Sequence, residues 1–191
     1  VLVGTTGCKK EFLNVNTNPN SLPTATPGYV LANALNVSAA SLVGPNELGS
    51  FWSGQWTQSN GYILSTTIFQ YNFTNNDFNY WDGTYDNLYD YQYIIDNAKD
   101  ADQDFARGPA KIMQAFNYQK LVDLYGNIPY SEALKGVGKL APKFDDQKTV
   151  YENLITLLDD GIKDVKANAI PSAFAASDII FKGNNTNWVK F

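Results

Sequence analysis

Histidine is absent from the chain, and cysteine and methionine occur once each. Without histidine there is no imidazole for a catalytic triad and no His-ligated zinc. A lone cysteine, Cys8, excludes an intrachain disulfide, a CxxC redox pair and a cysteine zinc cluster. Charge is scarce as well, at 17% of residues, and the net charge of -5 argues against a nucleic-acid partner. No apolar run approaches the roughly 18 residues that cross a bilayer as a helix. A nucleophile elbow, a P-loop and a dinucleotide fingerprint are all missing.

What is present is aromatic and polar. Apolar residues make up 44% of the 191 residues and Phe, Trp and Tyr 14%, with asparagine abundant. The length suffices for one or two domains and a sizeable core. The chain begins at Val1, without an initiator methionine, and ends inside the apolar-aromatic run Asn187–Phe191. Both ends therefore read as cuts in a longer protein.

Val1–Cys8 is short, apolar and small, and Lys9-Lys10-Glu11 follows abruptly. It reads as the end of a signal-peptide apolar region, with Gly7-Cys8 similar to a bacterial lipobox. Cys8 is then the lipidation site and the first mature residue. Residues 9–26, rich in Asn, Thr and Pro, read as a tether.

Hydrophobic periodicity predicts helices. Thr26-Pro27 is a start signal, followed by Leu31, Ala34, Leu35 and Ser38 on one face, over about 27–41. Trp81, Tyr85, Leu88, Ile95 and Ala98 mark a second stripe, over about 78–99. Gly108-Pro109 opens a third, and Gly126 closes it. Thr149 and Glu152 fit a capping box for a fourth, over about 149–167, with Leu154, Leu158 and Ile162 expected in the core. The expected fold is mainly α: antiparallel, tetratricopeptide-like helix pairs with long aromatic, Asn-rich loops.

Asp100, Asp102 and Asp104 have the opening of a calcium loop, but Phe105 and Lys111 replace the glycine and the glutamate it needs. They read as a solvated turn, and no metal or cofactor is expected. The least regular segment is 44–80. It interleaves aromatics with Gly, Ser, Thr, Asn and Gln, and a short helix near 46–57 fits its start. Trp52, Trp56 and Tyr62 are candidate stacking platforms for a neutral ligand, with Gln58 and Asn60 as hydrogen-bond partners.

Several stretches together resemble one family. They are Gly7-Cys8 with Glu11–Asn20, Trp81-x3-Tyr85-x2-Leu88, Asp123–Leu134, Pro142–Asp145, and Asp178–Gly183 leading to Trp188–Phe191. The most specific is Tyr125-Gly126-Asn127-Ile128-Pro129-Tyr130 with Ala133-Leu134. The chain is similar to the SusD/RagB family, the outer-membrane nutrient-binding lipoproteins of Bacteroidetes. The resemblance implies a non-catalytic, lipid-anchored surface protein. Such a protein captures an oligosaccharide, sometimes a peptide, and hands it to a TonB-dependent outer-membrane transporter. It also implies that 27–191 is the amino-terminal part of a longer helical domain. A helical-repeat adaptor for other proteins and a surface glycoside hydrolase are the alternatives.

Overall fold

The computed structural model describes residues 25–62, 65–74 and 79–191; Cys8 and the tether up to residue 24 lie outside them. Among the described residues seven α-helices follow one another: α1 (Pro27–Ala40), α2 (Val43–Trp52), α3 (Thr66–Gln70), α4 (Trp81–Asn97), α5 (Arg107–Tyr125), α6 (Gln147–Ala167) and α7 (Asn185–Lys190). Among the described residues there is no strand, only an isolated antiparallel bridge between Ile128 and Asp145. The fold is mainly α.

Four helices stack in series, α1 on α4, α4 on α5 and α5 on α6. Cross-contacts show that neighbours run antiparallel. Tyr80 N–H donates to the Tyr125 hydroxyl at 3.2 Å, while Gln114 Nε2 donates to Gln92 Oε1 at 3.1 Å. Likewise Arg107 meets Asp164 near one end of the α5–α6 pair, and Tyr151 donates to Asp123 near the other. These are the helix pairs expected from periodicity, and α5 lies in the middle of them.

The α5–α6 crossing depends on two glycines. A Cβ on Gly108 would lie 2.6 Å from Val165 Cγ2 and 2.7 Å from the Val165 amide nitrogen. One on Gly161 would lie 2.9 Å from Ile112 Cγ1. Beside this close approach, Asp164 is held by Arg107 Nε at 2.9 Å and Lys111 Nζ at 2.8 Å. Desolvation pushes the Asp164 carboxyl up, but the two cations outweigh it and hold it below the usual carboxylate range.

A buried polar cluster sets the register of α1 on the α4–α5 pair. Ser38 Oγ accepts from Asn87 Nδ2 at 2.7 Å and Asn117 Nδ2 at 2.9 Å, and lies 2.8 Å from the Tyr91 hydroxyl. Sliding α1 by one residue would strand these groups in an apolar interior, at roughly 1–3 kcal/mol each. The apolar core has two parts. Leu31, Leu35, Tyr91, Ile94, Met113 and Trp188 belong to one; Leu88, Leu121, Val122, Ile128, Val150 and Leu154 belong to the other.

Three expectations need correction. The α6 N-cap is Asp146, not Thr149, because the Asp146 carboxylate accepts from Lys148 N–H at 3.0 Å and Asn127 Oδ1 accepts from Gln147 N–H at 3.0 Å. The helix therefore starts two residues earlier. Leu158 is 36% exposed and not core: it lines a shallow groove on the outer side of α5 and α6 with Phe116 and Phe191. The short helix expected near 46–57 ends at Trp52, and a further helix, α3, follows it.

Gly108→Ala tests the helix crossing. It is expected to cost about 1–3 kcal/mol in urea denaturation, because the methyl meets backbone that cannot rotate away. A neutral substitution would mean that α5 and α6 lie further apart than described.

Candidate ligand-binding surfaces

The candidate platforms arise where α2 runs out. Gly54, in the left-handed region at φ 73°, turns the chain back, and Trp56 N–H donates to Ser50 O at 3.0 Å. The turn lays Trp56 against Phe51, edge to face at 5.8 Å, and Phe51 packs on Phe69 of α3 at 5.1 Å. The Trp52 ring stacks on Tyr71 at 5.4 Å and 24°, with Phe73 at 5.8 Å. Its indole N–H donates to Ile68 O at 3.0 Å. Tyr71 ends α3 in the left-handed conformation, φ 52°, which brings its ring back over Trp52.

The result is an aromatic ledge carried on α2 and α3, outside both apolar cores. Trp52 is 39% exposed, Trp56 50% and Tyr62 60%. Trp56 packs with Phe51 and Phe69, and Trp52 packs with Tyr71 and Phe73, as two ring clusters carried on the same pair of helices. Tyr62 follows Gly61 (φ 80°) and makes no ring contact among the described residues, while Gln58 is half-buried and Asn60 exposed. The named side chains carry rings and amides, which suits stacking on a flat sugar face, at roughly 0.5–1.5 kcal/mol per ring.

The loop after α5 forms a second surface. Gly126 ends α5 at φ 72°, and the chain then returns to α6 through an arch fastened at Asp145. The Asp145 carboxylate accepts from Tyr130 N–H at 3.1 Å, Ser131 N–H at 2.7 Å and the Ser131 hydroxyl at 2.9 Å, with Lys143 Nζ at 3.3 Å. Burial pushes this carboxyl up, yet the Ser131 and Tyr130 donors and Lys143 prevail and hold it below its ordinary value. Tyr85 donates to Pro129 O at 2.6 Å and ties the arch to α4. Trp81, expected on the packed stripe, is braced by Tyr85, Tyr125 and Phe144.

Between this arch and the middle of α4 and α5 lies a polar cleft of about 540 Å³. Periodicity gave no warning of it. Gln92 and Gln114 come from two different helices, and Lys135 comes from a loop whose position depends on Asp145. A similar device closes the chain's last turn. Buried Asp178 accepts from Ile180, Phe181 and Gly183 N–H and, at 2.7 Å, from the Trp188 indole N–H. The Asp178–Gly183 and Trp188 motif is therefore architecture.

A family model, SusD-like_2, described as starch-binding and associating with the outer membrane, matches residues 19–191. The chain belongs to this family. Among solved structures it is similar to a SusD/RagB family protein from Bacteroides thetaiotaomicron VPI-5482, at 21% identity and TM-score 0.58. That match covers 88% of this chain and 36% of the other. A SusD-like protein from the same organism matches at 23% identity and TM-score 0.56, over 86% and 35% of the two chains. The chain thus spans about a third of the length of these two proteins, whose likeness shows the shared helical fold. No curated protein matches it significantly.

Asp145→Asn tests the arch. Because the folded-state pKa is depressed, the carboxylate stabilises the fold above about pH 4, and that contribution is lost as pH falls through the folded value. The substitution is expected to cost roughly 1.5–3 kcal/mol at pH 7 in chemical denaturation and to make the acid-side decline shallower. An unchanged pH profile would remove Asp145 from this role.

Proposed function

We propose that this protein is a non-catalytic surface lipoprotein that binds a neutral oligosaccharide on the aromatic ledge and delivers it to a TonB-dependent outer-membrane transporter. Membership of a starch-binding, outer-membrane-associated family supports the ligand class and the location. The ledge supports the site: solvent-facing indole and phenol rings on a braced base, with amide side chains following in the chain. Residues needed to hold helices together are buried in the stripes, whereas these rings are not needed there. Trp56 is the leading platform, since one edge rests on Phe51 and half its surface is open. Tyr62 is the second, with Gln58 and Asn60 supplying hydrogen bonds to ring hydroxyls.

Anchoring follows from Cys8 as the lipid-bearing first residue of the mature chain, with the following residues as tether. No described helix is long and apolar enough to cross a membrane. Several acyl chains at about 0.8 kcal/mol per buried methylene would supply stable attachment.

Trp56→Ala in the full-length protein is expected to weaken oligosaccharide binding by about 1–2 kcal/mol in calorimetry, the scale of one lost platform, with the helical signal intact. Unchanged affinity would move the site off the ledge, and hydrolysis products in the same titration would overturn the non-catalytic reading. Cys8→Ala is expected to release the protein from the membrane fraction. A variant that remains wholly in the outer membrane would refute the anchor.

A further inference from the structure

The cleft under the 126–146 arch is built like a binding site, and none of the ledge residues lines it. Its volume, about 540 Å³, falls within the roughly 300–1,000 Å³ of small-molecule sites. The floor is a pre-set relay: Gln114 Nε2 donates to Gln92 Oε1, and Gln92 Nε2 donates to Asp96 Oδ1, each at 3.1 Å. Buried Tyr118 and buried Gln114 both line the cleft. Among the described residues, the Tyr118 hydroxyl and the Gln114 Oε1 have no hydrogen-bond partner. Tyr89 offers an exposed phenol and Lys135 an ammonium to the same cleft.

The wall carrying Lys135 is strained into place. Leu134 adopts φ 60°, a left-handed conformation that costs a leucine energy and is held by its surroundings, and Gly136 follows at φ 53°, which glycine adopts freely. Here Asp145 fixes the loop's first residues, and a Cβ on Gly136 would lie 3.5 Å from the Tyr89 hydroxyl.

We infer that this cleft is a second saccharide site, taking a mono- or disaccharide, separate from the ledge. The chemistry selects the class. Phenol hydroxyls both donate and accept, as sugar hydroxyls do, and amides and a carboxylate fit vicinal diols. An anion would meet Asp96 as well as Lys135, and an apolar ligand would leave the Tyr118 hydroxyl and Gln114 Oε1 buried without partners. Tyr89 supplies the stacking face.

The test uses full-length protein carrying Trp56→Ala and Tyr62→Ala, so that ledge binding does not mask the cleft. Maltose, cellobiose, mannobiose and xylobiose are titrated calorimetrically, with glycylglycine as the zwitterionic alternative. At least one disaccharide is expected to saturate, and Tyr89→Ala and Asp96→Asn, both at exposed positions of α4, are each expected to weaken it tenfold or more. Circular dichroism is expected to be unchanged in both. Disaccharide binding that neither variant alters, binding of glycylglycine alone, or no binding by any probe would overturn the inference. The ledge reading is judged independently, by the Trp56→Ala comparison in the otherwise unaltered protein.

Discussion

One carboxylate, Asp145, organises the part of the molecule in which loop and helix meet. It stands just before α6 and reaches back to the amides of Tyr130 and Ser131. It thereby closes an arch that no regular secondary structure supports. Lys143, which contacts it, also donates its own backbone N–H to Glu132 at 3.1 Å, and Lys139 joins Glu132 through an exposed ion pair. The buried donors around Asp145 matter more than the exposed pairs, because water screens the latter almost completely. With the arch closed, Tyr130 packs edge to face on Tyr118 at 4.7 Å, and Phe144 stacks on Trp81. The cleft wall and the end of the α4–α5 pair therefore both depend on Asp145, with the Tyr85–Pro129 hydrogen bond as a second tie.

The helices were legible in the sequence because their information is local. Leu31, Ala34, Leu35 and Ser38 fall on one face of α1, and all four are buried. Trp81, Tyr85 and Leu88 likewise trace the packed face of α4. Leu158 shows where periodicity fails. It continues the α6 stripe, but the residue borders a groove beside Phe116 and Phe191 instead of a core. Thr149 fails for a different reason: a capping box is a local pattern, and it lost to Asp146 assisted by Asn127, a residue from the other side of the arch.

The family motifs were legible as a signature, and the structure gives much of that signature a physical cause. Gly126 supplies a left-handed turn, Pro129 offers its carbonyl to Tyr85, and Asp145 and Asp178 each gather backbone donors in a loop. Each of these residues builds the scaffold. The aromatic ledge, by contrast, follows no fixed spacing. Its rings come from the end of α2, a glycine turn and the residues around α3. The aromatic, polar composition of 44–80 only suits such a surface, and which rings are braced and which are open depends on contacts between segments. The polar cleft was illegible for the same reason, since Tyr89, Gln92, Gln114 and Lys135 come from three elements and share no motif.

The proposed ligand capture by this chain rests on open rings over a helical base. The most direct measurement is a crystal structure of the full-length protein soaked with a starch-derived oligosaccharide such as maltotriose. The account predicts sugar rings lying flat on Trp56 or Tyr62, with α2 and α3 unmoved beneath them. A structure in which the remainder of the protein covers those rings, with the sugar bound elsewhere, would contradict it.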